Sequence, residues 1–286
     1  MAGAALLGLS PLGVRLSELG PQATTFWRFA LSLPILLLWS QWDGPKPSRR
    51  QVWLLILAGV LFGLDVCLWS AALGHTSVAN ATLLSNMTPV FAAAFGWLVF
   101  KERLGAAVLT GGAVALAGAV LLALARAQSD TGPASSDAEG WLGDGLGLVS
   151  AVWYAGYLLM VRSIGRSVSL GAVMFWATLG AMGLALCTTF IMGERLVPQT
   201  SRGWAILVGL ALVVQIGGQG LIAYGVGRLQ IAFSTVLLWV QPLAAAALSW
   251  MFFDERLGAM AFVGAALILG GVWLVQRARG LAEKVA

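Results

Sequence analysis

The six residues FKERLG at positions 100–105 return almost unchanged as FDERLG at 253–258. Around them, other residues match at the same offset of 153 positions (255 − 102 = 153). The matched pairs include Pro89 with Pro242, Gly111 with Gly264, and Gly118 with Gly271. Chance similarity does not hold one register over roughly fifty residues, so the chain contains an internal repeat.

The composition indicates that the repeated segments lie in a lipid bilayer. The chain has 286 residues, of which 59% are hydrophobic and only 10% charged, whereas soluble domains carry about 25% charged residues. The net charge of +5 comes from lysines and arginines scattered at the edges of apolar runs. This pattern is typical of interfacial charges on a membrane protein and does not form the basic face of a nucleic-acid-binding protein.

Ten apolar runs approach the roughly 20 residues that a helix needs to cross the hydrocarbon core. They do not alternate apolar with polar residues as the strands of a membrane barrel do. The sequence therefore predicts an all-α integral membrane protein with ten transmembrane helices, at 2–17, 22–40, 51–73, 76–100, 104–126, 142–163, 169–193, 203–226, 230–253 and 257–277.

The only long polar stretch, residues 127–140, separates five predicted helices from five. We therefore divide the chain into repeats at 1–126 and 141–286, joined by this linker. Five is an odd number, so the two repeats are predicted to cross the membrane in opposite directions, as two inverted five-helix repeats. Gly59 and Gly63 have the spacing that lets helix backbones approach closely, and the repeated glycines predict the same.

Lysine and arginine in the short loops set the orientation of a membrane protein. With the N-terminus in the cytoplasm, eleven of these residues lie inside and six outside. The prediction is a multi-pass protein of the cell (inner) membrane with both termini cytoplasmic and an extracytoplasmic linker.

Three stretches resemble a known family: ANATLLSNMTPVFAAAFGWLVFKERLG at 79–105, AFSTVLLWVQPLAAAALSWMFFDERLG at 232–258, and FWRFALSLP at 26–34. The chain resembles the drug/metabolite transporter superfamily, in its EamA-like ten-helix branch, with one EamA-like repeat in each half. The resemblance implies a carrier of small metabolites, often an exporter of amino acids or related solutes.

Asp65 is the only acid well inside a predicted helix. An ionisable group in hydrocarbon costs several kcal/mol unless it is paired or hydrated, so Asp65 is a functional candidate. Arg28 is its expected partner, because the two residues lie roughly 9 and 12 Å below the same membrane boundary at 1.5 Å per residue. The pair is either a switch opened by solute or a proton, with Asp65 as the proton carrier, or a static contact between helices.

Further candidates for solute binding are polar or aromatic residues inside the spans. Trp69 lies one helical turn after Asp65. Pro89 and Pro242, expected near the middles of the fourth and ninth helices, each remove a backbone N–H and free a carbonyl group. Packing, helix–helix hydrogen bonding and interfacial anchoring are the alternative roles for the whole set, which comprises Asp65, Trp69, Ser85, Asn86, Thr88, Trp153, Tyr157, Gln215, Gln219, Trp239 and Gln241.

These features favour a secondary transporter of small organic metabolites that works by alternating access. No lysine lies in a P-loop motif, so no ATP motor is expected. One histidine and two cysteines without motif spacing favour neither a metal nor a cofactor, and the residue set does not suit an enzyme. The expected partners are a small-molecule substrate and the lipid bilayer; a monomer suffices, and a dimer is compatible. The alternatives are a channel-like facilitator and a non-transporting assembly or sensor protein.

Overall fold

A computed structural model describes residues 1–72, 75, 84–101, 105–127, 137–165, 167–228, 236–253 and 259–285. Within these ranges the chain forms helices, turns and short irregular segments, with no β-strand. The charged pairs of the two repeated motifs, at 102–103 and 255–256, lie outside the described residues. The all-helical fold predicted from the sequence is confirmed for the described part of the chain.

The described helices overlap the predicted spans, while residues 76–83 of the fourth span and 230–235 of the ninth lie outside the described part of the chain. In the first half they are α1 Ala2–Leu7, α2 Leu9–Leu16, α3 Pro21–Trp42, α4 Arg49–Ala72, α5 Thr88–Phe100 and α6 Ala106–Ala127. In the second half they are α7 Asp137–Ile164, α8 Leu170–Ile191, α9 Ser201–Gly209, a π-helical segment Leu210–Gln219, α10 Gly220–Arg228, a 3₁₀ turn Leu237–Trp239, α11 Val240–Phe253 and α12 Ala259–Val285.

Five helical stretches in the described residues are long and apolar enough to cross a membrane. They are Pro21–Trp42, Arg49–Ala72, Gly140–Ile164, Leu170–Ile191 and Ser201–Arg228. Large apolar side chains such as Leu98 and Ile191 remain exposed on the surface of the bundle, 68% and 77% respectively. A water-soluble protein buries such side chains, whereas the hydrocarbon core of a bilayer accommodates them, and the chain is therefore a multi-pass membrane protein.

The breaks in the helices differ from the sequence prediction. The first span is divided at Gly8 into two short helices. Pro89 occupies the first turn of α5, and Pro242 the first turn of α11, so each proline stands where a helix begins and not inside a continuous helix. Proline is tolerated there because the first turn of a helix needs no N–H donor. Helix α7 takes in residues 137–140, which the sequence analysis had assigned to the linker.

The glycines of the repeat bring α6 and α12 into backbone contact, as the sequence predicted. A Cβ added to Gly111 would stand 2.7 Å from the carbonyl oxygen of Gly271, and one added to Gly118 would stand 2.6 Å from that of Gly264. The two helices run antiparallel, because the later glycine of α6 contacts the earlier glycine of α12. Gly59 likewise approaches the backbone of Ala177, so that α4 packs tightly on α8.

Helices α3 and α8 form a second antiparallel pair, with a carboxylate at each end. Asp43, directly after α3, accepts a hydrogen bond from the backbone N–H of Gly171 in the first turn of α8 (3.1 Å). Glu194, shortly after α8, accepts one from the N–H of Ala23 in the first turn of α3 (2.8 Å). Each acid therefore satisfies a free N–H at the positive end of the partner helix. We call these two contacts the reciprocal caps.

Candidate solute-binding site

Arg28 stands at the centre of a buried polar cluster that joins the two halves of the chain. Its Nε donates to Oε1 of Gln215 (3.1 Å) and its Nη1 donates to Oγ of Ser10 (3.1 Å). The amide Nε2 of Gln215 donates in turn to Oγ1 of Thr178 (2.9 Å). Arg28 is only 7% exposed and Gln215 only 1%. An arginine so deep in the bundle needs such acceptors, because an uncompensated buried charge is strongly destabilising.

Aromatic rings cover one side of this cluster. The Phe62 and Tyr157 rings stack with centroids 5.1 Å apart, and Tyr154 stacks on Tyr157 at 5.7 Å. The guanidinium of Arg28 lies 5.6 Å from the ring centroid of Phe29 and 6.0 Å from that of Phe62. The site therefore combines a cation with π faces, a surface suited to an amphiphilic organic solute.

Gln219 lies one turn beyond Gln215 on the π-helical segment and reaches the same aromatic group. Its Nε2 donates to the hydroxyl of Tyr157 (3.1 Å). Its Oε1 is buried and has no hydrogen-bond partner within the described residues. Buried acceptors are seldom left unpaired, so this oxygen is available to a donor on a solute or to a water molecule.

Asp65 approaches the cluster from α4. Its Oδ1 accepts a hydrogen bond from Oγ of Ser150 on α7 (2.7 Å). The direct ion pair with Arg28 expected from the sequence is not formed among the described residues, where Arg28 bonds to Gln215 and Ser10 and Asp65 bonds to Ser150. The amide of Gln215 and the hydroxyls that contact Arg28 and Asp65 take the place of the ion pair.

A side chain of the ninth predicted span contacts the backbone of the fourth. The indole Nε1 of Trp239 donates to the backbone carbonyl of Asn86 (2.9 Å), and these two residues are themselves equivalent at the offset of 153. The hydroxyl of Thr88 donates to the backbone carbonyl of Ser85, just before α5 (2.8 Å).

Three predicted residues stand apart from the hydrogen bonds described above. Trp69 and Gln241 are partly buried. Trp153 is 36% exposed on the surface of α7, while Tyr154 and Tyr157 of the same helix face the cluster. Sequence reasoning missed Ser10, Ser150 and Thr178, because single hydroxyl groups inside apolar runs give no local signal of a partner on a distant helix.

The two ends of the bundle differ. At one end an apolar plug is formed by Leu19, Ala23 and Leu207, with Trp27, Leu31 and Trp204 packed against them. Beside it, the carboxylate of Glu18 accepts hydrogen bonds from the hydroxyl of Thr200 and the backbone N–H of Gln199. These donors, the Thr200 hydroxyl foremost, hold the pKa of Glu18 below its usual range.

A cavity of 1130 Å³ opens at the opposite end, between the ends of α3, α7 and α10 and the start of α8. None of the eleven solute-binding candidates from the sequence lies in its wall. No group of histidine, cysteine, aspartate and glutamate side chains able to hold a metal ion was found among the described residues.

A helical membrane bundle with a buried cluster of charged, amide and aromatic side chains between its halves is the architecture of a polytopic solute transporter. The model of the EamA-like transporter family matches residues 1–124 and 141–277, and the chain belongs to that family. It is a membrane transporter of small metabolites.

Named relatives are consistent with this assignment. The chain is 24% identical over 244 residues to the pseudopaline exporter of Pseudomonas aeruginosa, covering 85% of this chain and 82% of the relative. It is 29% identical over 236 residues to a probable terminal-alkyne amino-acid exporter of Streptantibioticus cattleyicolor, covering 81% and 75%. A crystal structure at 21% identity superposes with a TM-score of 0.80, over 99% of this chain and 96% of the other, and supports the fold.

Proposed function

We propose that this chain is a secondary exporter of small amphiphilic organic solutes, amino acids or similar compounds, which works by alternating access in the inner membrane. The observation that carries the proposal is the cluster around Arg28. Arg28 is buried in the first half of α3, and its partners lie on the π-helical segment and on α2, so the cluster is built from both halves of the chain. A site shared by two repeats is the arrangement from which inverted-repeat transporters expose a solute to each side in turn.

Contacts between equivalent helices support the inverted arrangement of the repeats. Helices α6 and α12, which correspond at the offset of 153, are antiparallel and exchange glycine contacts reciprocally. The α3 and α8 pair is also antiparallel, since Gln22 bonds to Thr188 while Gly171 approaches Trp39. Reciprocal contacts of this kind arise when one five-helix unit is related to the other by a two-fold axis lying in the membrane plane.

The chemistry of the cluster supports an amphiphilic solute. Arg28 offers positive charge, Asp65 negative charge, and the Oε1 of Gln219, which has no partner among the described residues, an acceptor, near stacked rings. The two exporters named above have pseudopaline and a terminal-alkyne amino acid in their names. An amino acid has the matching groups: a carboxylate, an ammonium group and an apolar side chain.

Solute counterflow in proteoliposomes tests the proposal. Vesicles preloaded with amino acids, nucleosides, sugars and small cations are expected to accelerate uptake of a labelled member of one class. Asp65→Asn is expected to lower that exchange at least about tenfold, which corresponds to about 1.4 kcal/mol, because the variant removes the charge that faces the site. Trp153→Phe, an exposed position on α7, is the control and should exchange normally.

The other outcomes assign the other functions. Flux without counterflow would indicate a channel-like facilitator, because counterflow requires a site that alternates between the two sides. No flux of any solute, from protein shown to be inserted and folded, would favour the assembly or sensor role. Exchange that is unchanged in Asp65→Asn would remove Asp65 from the transport step.

Single-cysteine labelling tests the proposed orientation. With Cys67 and Cys187 replaced by alanine, Ser48→Cys and Gln199→Cys each place one thiol at an exposed position, after α3 and after α8 respectively. A membrane-impermeant maleimide added to intact cells should label Gln199→Cys, and should label Ser48→Cys only after the membrane is opened. The reverse pattern would invert the topology, and labelling of both from outside would contradict a membrane-crossing α4–α8 bundle.

A further inference from the structure

The cavity at the open end of the bundle is separate from the cluster around Arg28 but shares a wall with it. Ile216 and Gly217 line the cavity and lie between the two cluster residues Gln215 and Gln219 in the chain. Gly220 also lines it, and the ring of Trp39 stands 3.8 Å from the position of a Cβ on Gly220. A solute in the cavity would therefore be one helix wall away from the buried site.

The size of the cavity suits a small organic solute. Its volume of 1130 Å³ is at the upper end of the 300–1,000 Å³ or so of typical small-molecule pockets. Its walls are largely apolar, with the indole of Trp39 and the side chains of Val173 and Leu221 among them. Such walls suit the apolar part of an amphiphile. Its charged group needs a polar or charged side chain at another point of the wall.

Arg228 supplies a cation in this wall. Its guanidinium lies 3.8 Å from the ring centroid of Tyr224, one turn earlier on α10. Asp43 places one carboxylate in the same wall, and it accepts a hydrogen bond from the backbone N–H of Gly171 (3.1 Å). Among the described residues, Arg228 forms no ion pair with it. A guanidinium stacked on a ring keeps its N–H groups at the edge of its plane, where they can bind two oxygens of one anion.

We propose that this cavity is a solute-loading site, in which Arg228, held by Tyr224, binds the carboxylate of an amphiphilic carboxylate-bearing solute while Trp39 contacts its apolar part. The inference rests on the proposed function and adds a second site, at the mouth of the pathway. An anionic lipid headgroup has a similar oxyanion, so the test below separates solute carboxylate from lipid phosphate.

Equilibrium binding to the full-length protein in phosphatidylcholine nanodiscs tests the proposal, with L-leucine, L-phenylalanine and L-tryptophan and their carboxamides as probes. At least one amino acid should bind more tightly than its carboxamide. Arg228→Gln should raise its dissociation constant at least about tenfold, because the two-point contact with the carboxylate is lost. Arg228→Lys should give a clear part of the same loss, because lysine has no planar fork of donors.

The lysine variant separates binding from a structural role. A charge that only anchors the helix end at the membrane surface would be replaced fully by lysine. The matched control is Arg277→Gln, which removes another arginine stacked on a ring, Trp273 at 5.2 Å, outside the cavity. It should leave the dissociation constant unchanged.

Three results would overturn the proposal: no binding of any of the three amino acids, equal affinity for acid and carboxamide, or an unchanged constant in Arg228→Gln. An effect of Arg228→Gln that appears only when phosphatidylglycerol is added would assign the guanidinium to lipid phosphate and also overturn it. If the wild type shows counterflow but Arg228→Gln keeps the wild-type dissociation constant, the exporter function stands and only the loading site is refuted. If binding depends on Arg228 but no counterflow is seen, the binding site stands and the exporter function is refuted.

Discussion

Gly271→Ala is expected to destabilise the protein by about 1–3 kcal/mol or more, whereas Gly270→Ala, one residue earlier, should be neutral or stabilising. A Cβ on Gly271 would stand 2.4 Å from the carbonyl oxygen of Gly111 and 2.5 Å from the backbone nitrogen of Ala115. Both atoms belong to the backbone of α6, so neither can turn away as a side chain would. A Cβ on Gly270 would meet no atom within 4 Å.

Both variants replace a glycine of α12 by alanine, so each adds one methyl group to the same helix and they differ only in what that group contacts. Alanine favours a helix by up to about 1 kcal/mol over glycine, so any loss in Gly271→Ala arises from packing against this background. Thermal unfolding in detergent, followed by the fraction of monodisperse protein, measures the difference. Equal melting temperatures for the two variants would mean that α6 and α12 do not approach as closely as described, and the reciprocal glycine contact would lose its support.

The second large effect is expected at Arg28. Arg28→Met should reduce solute exchange at least about a hundredfold, or about 2.8 kcal/mol, because it removes the cation from the site and takes the donor away from the buried amide of Gln215 and the half-buried hydroxyl of Ser10. Arg28→Lys keeps the charge but offers a single point of attachment, so it should retain part of the stability and little of the exchange.

Folding and transport must be measured separately for this residue. The amount of inserted protein and its melting temperature report folding, and counterflow per inserted molecule reports transport. Arg50→Gln, at an exposed arginine in the first turn of α4, is the control and should change neither. Exchange above about a tenth of the wild-type rate in Arg28→Met would show that the buried cluster only holds helices together.

The sequence predicted the helical architecture because its signals are local. Apolar runs bounded by charged turns mark helices, and a fixed offset between FKERLG and FDERLG marks a repeat. The positions of Pro89 and Pro242 were predicted less well, since proline signals a break in a helix without telling whether the helix ends, bends or begins there. Gln215 and Gln219 were predicted as site residues, but the π-helical form of the segment Leu210–Gln219 that carries them was not.

The candidate site was only partly predictable for a different reason. Arg28, Asp65, Gln215 and Gln219 stand out because polar groups are costly in hydrocarbon. Their partners do not stand out, because Arg28 bonds to a residue 187 positions away and Asp65 to one 85 positions away. Depth in the membrane placed Arg28 and Asp65 at one level but carried no information on rotation about the helix axes, which decides which side chains touch.

The reciprocal caps bear on how the chain assembles during synthesis. The N–H of Ala23, in the first half, finds its acceptor in Glu194, a residue made 171 positions later. Until α8 has entered the bilayer, the first turn of α3 depends on water or lipid headgroups for that bond. Conversely, α8 begins against an acid, Asp43, that is already in place. The cap at the start of α3 is therefore completed only after α8 has been made, whereas α8 meets a capping acid that is already present in the chain.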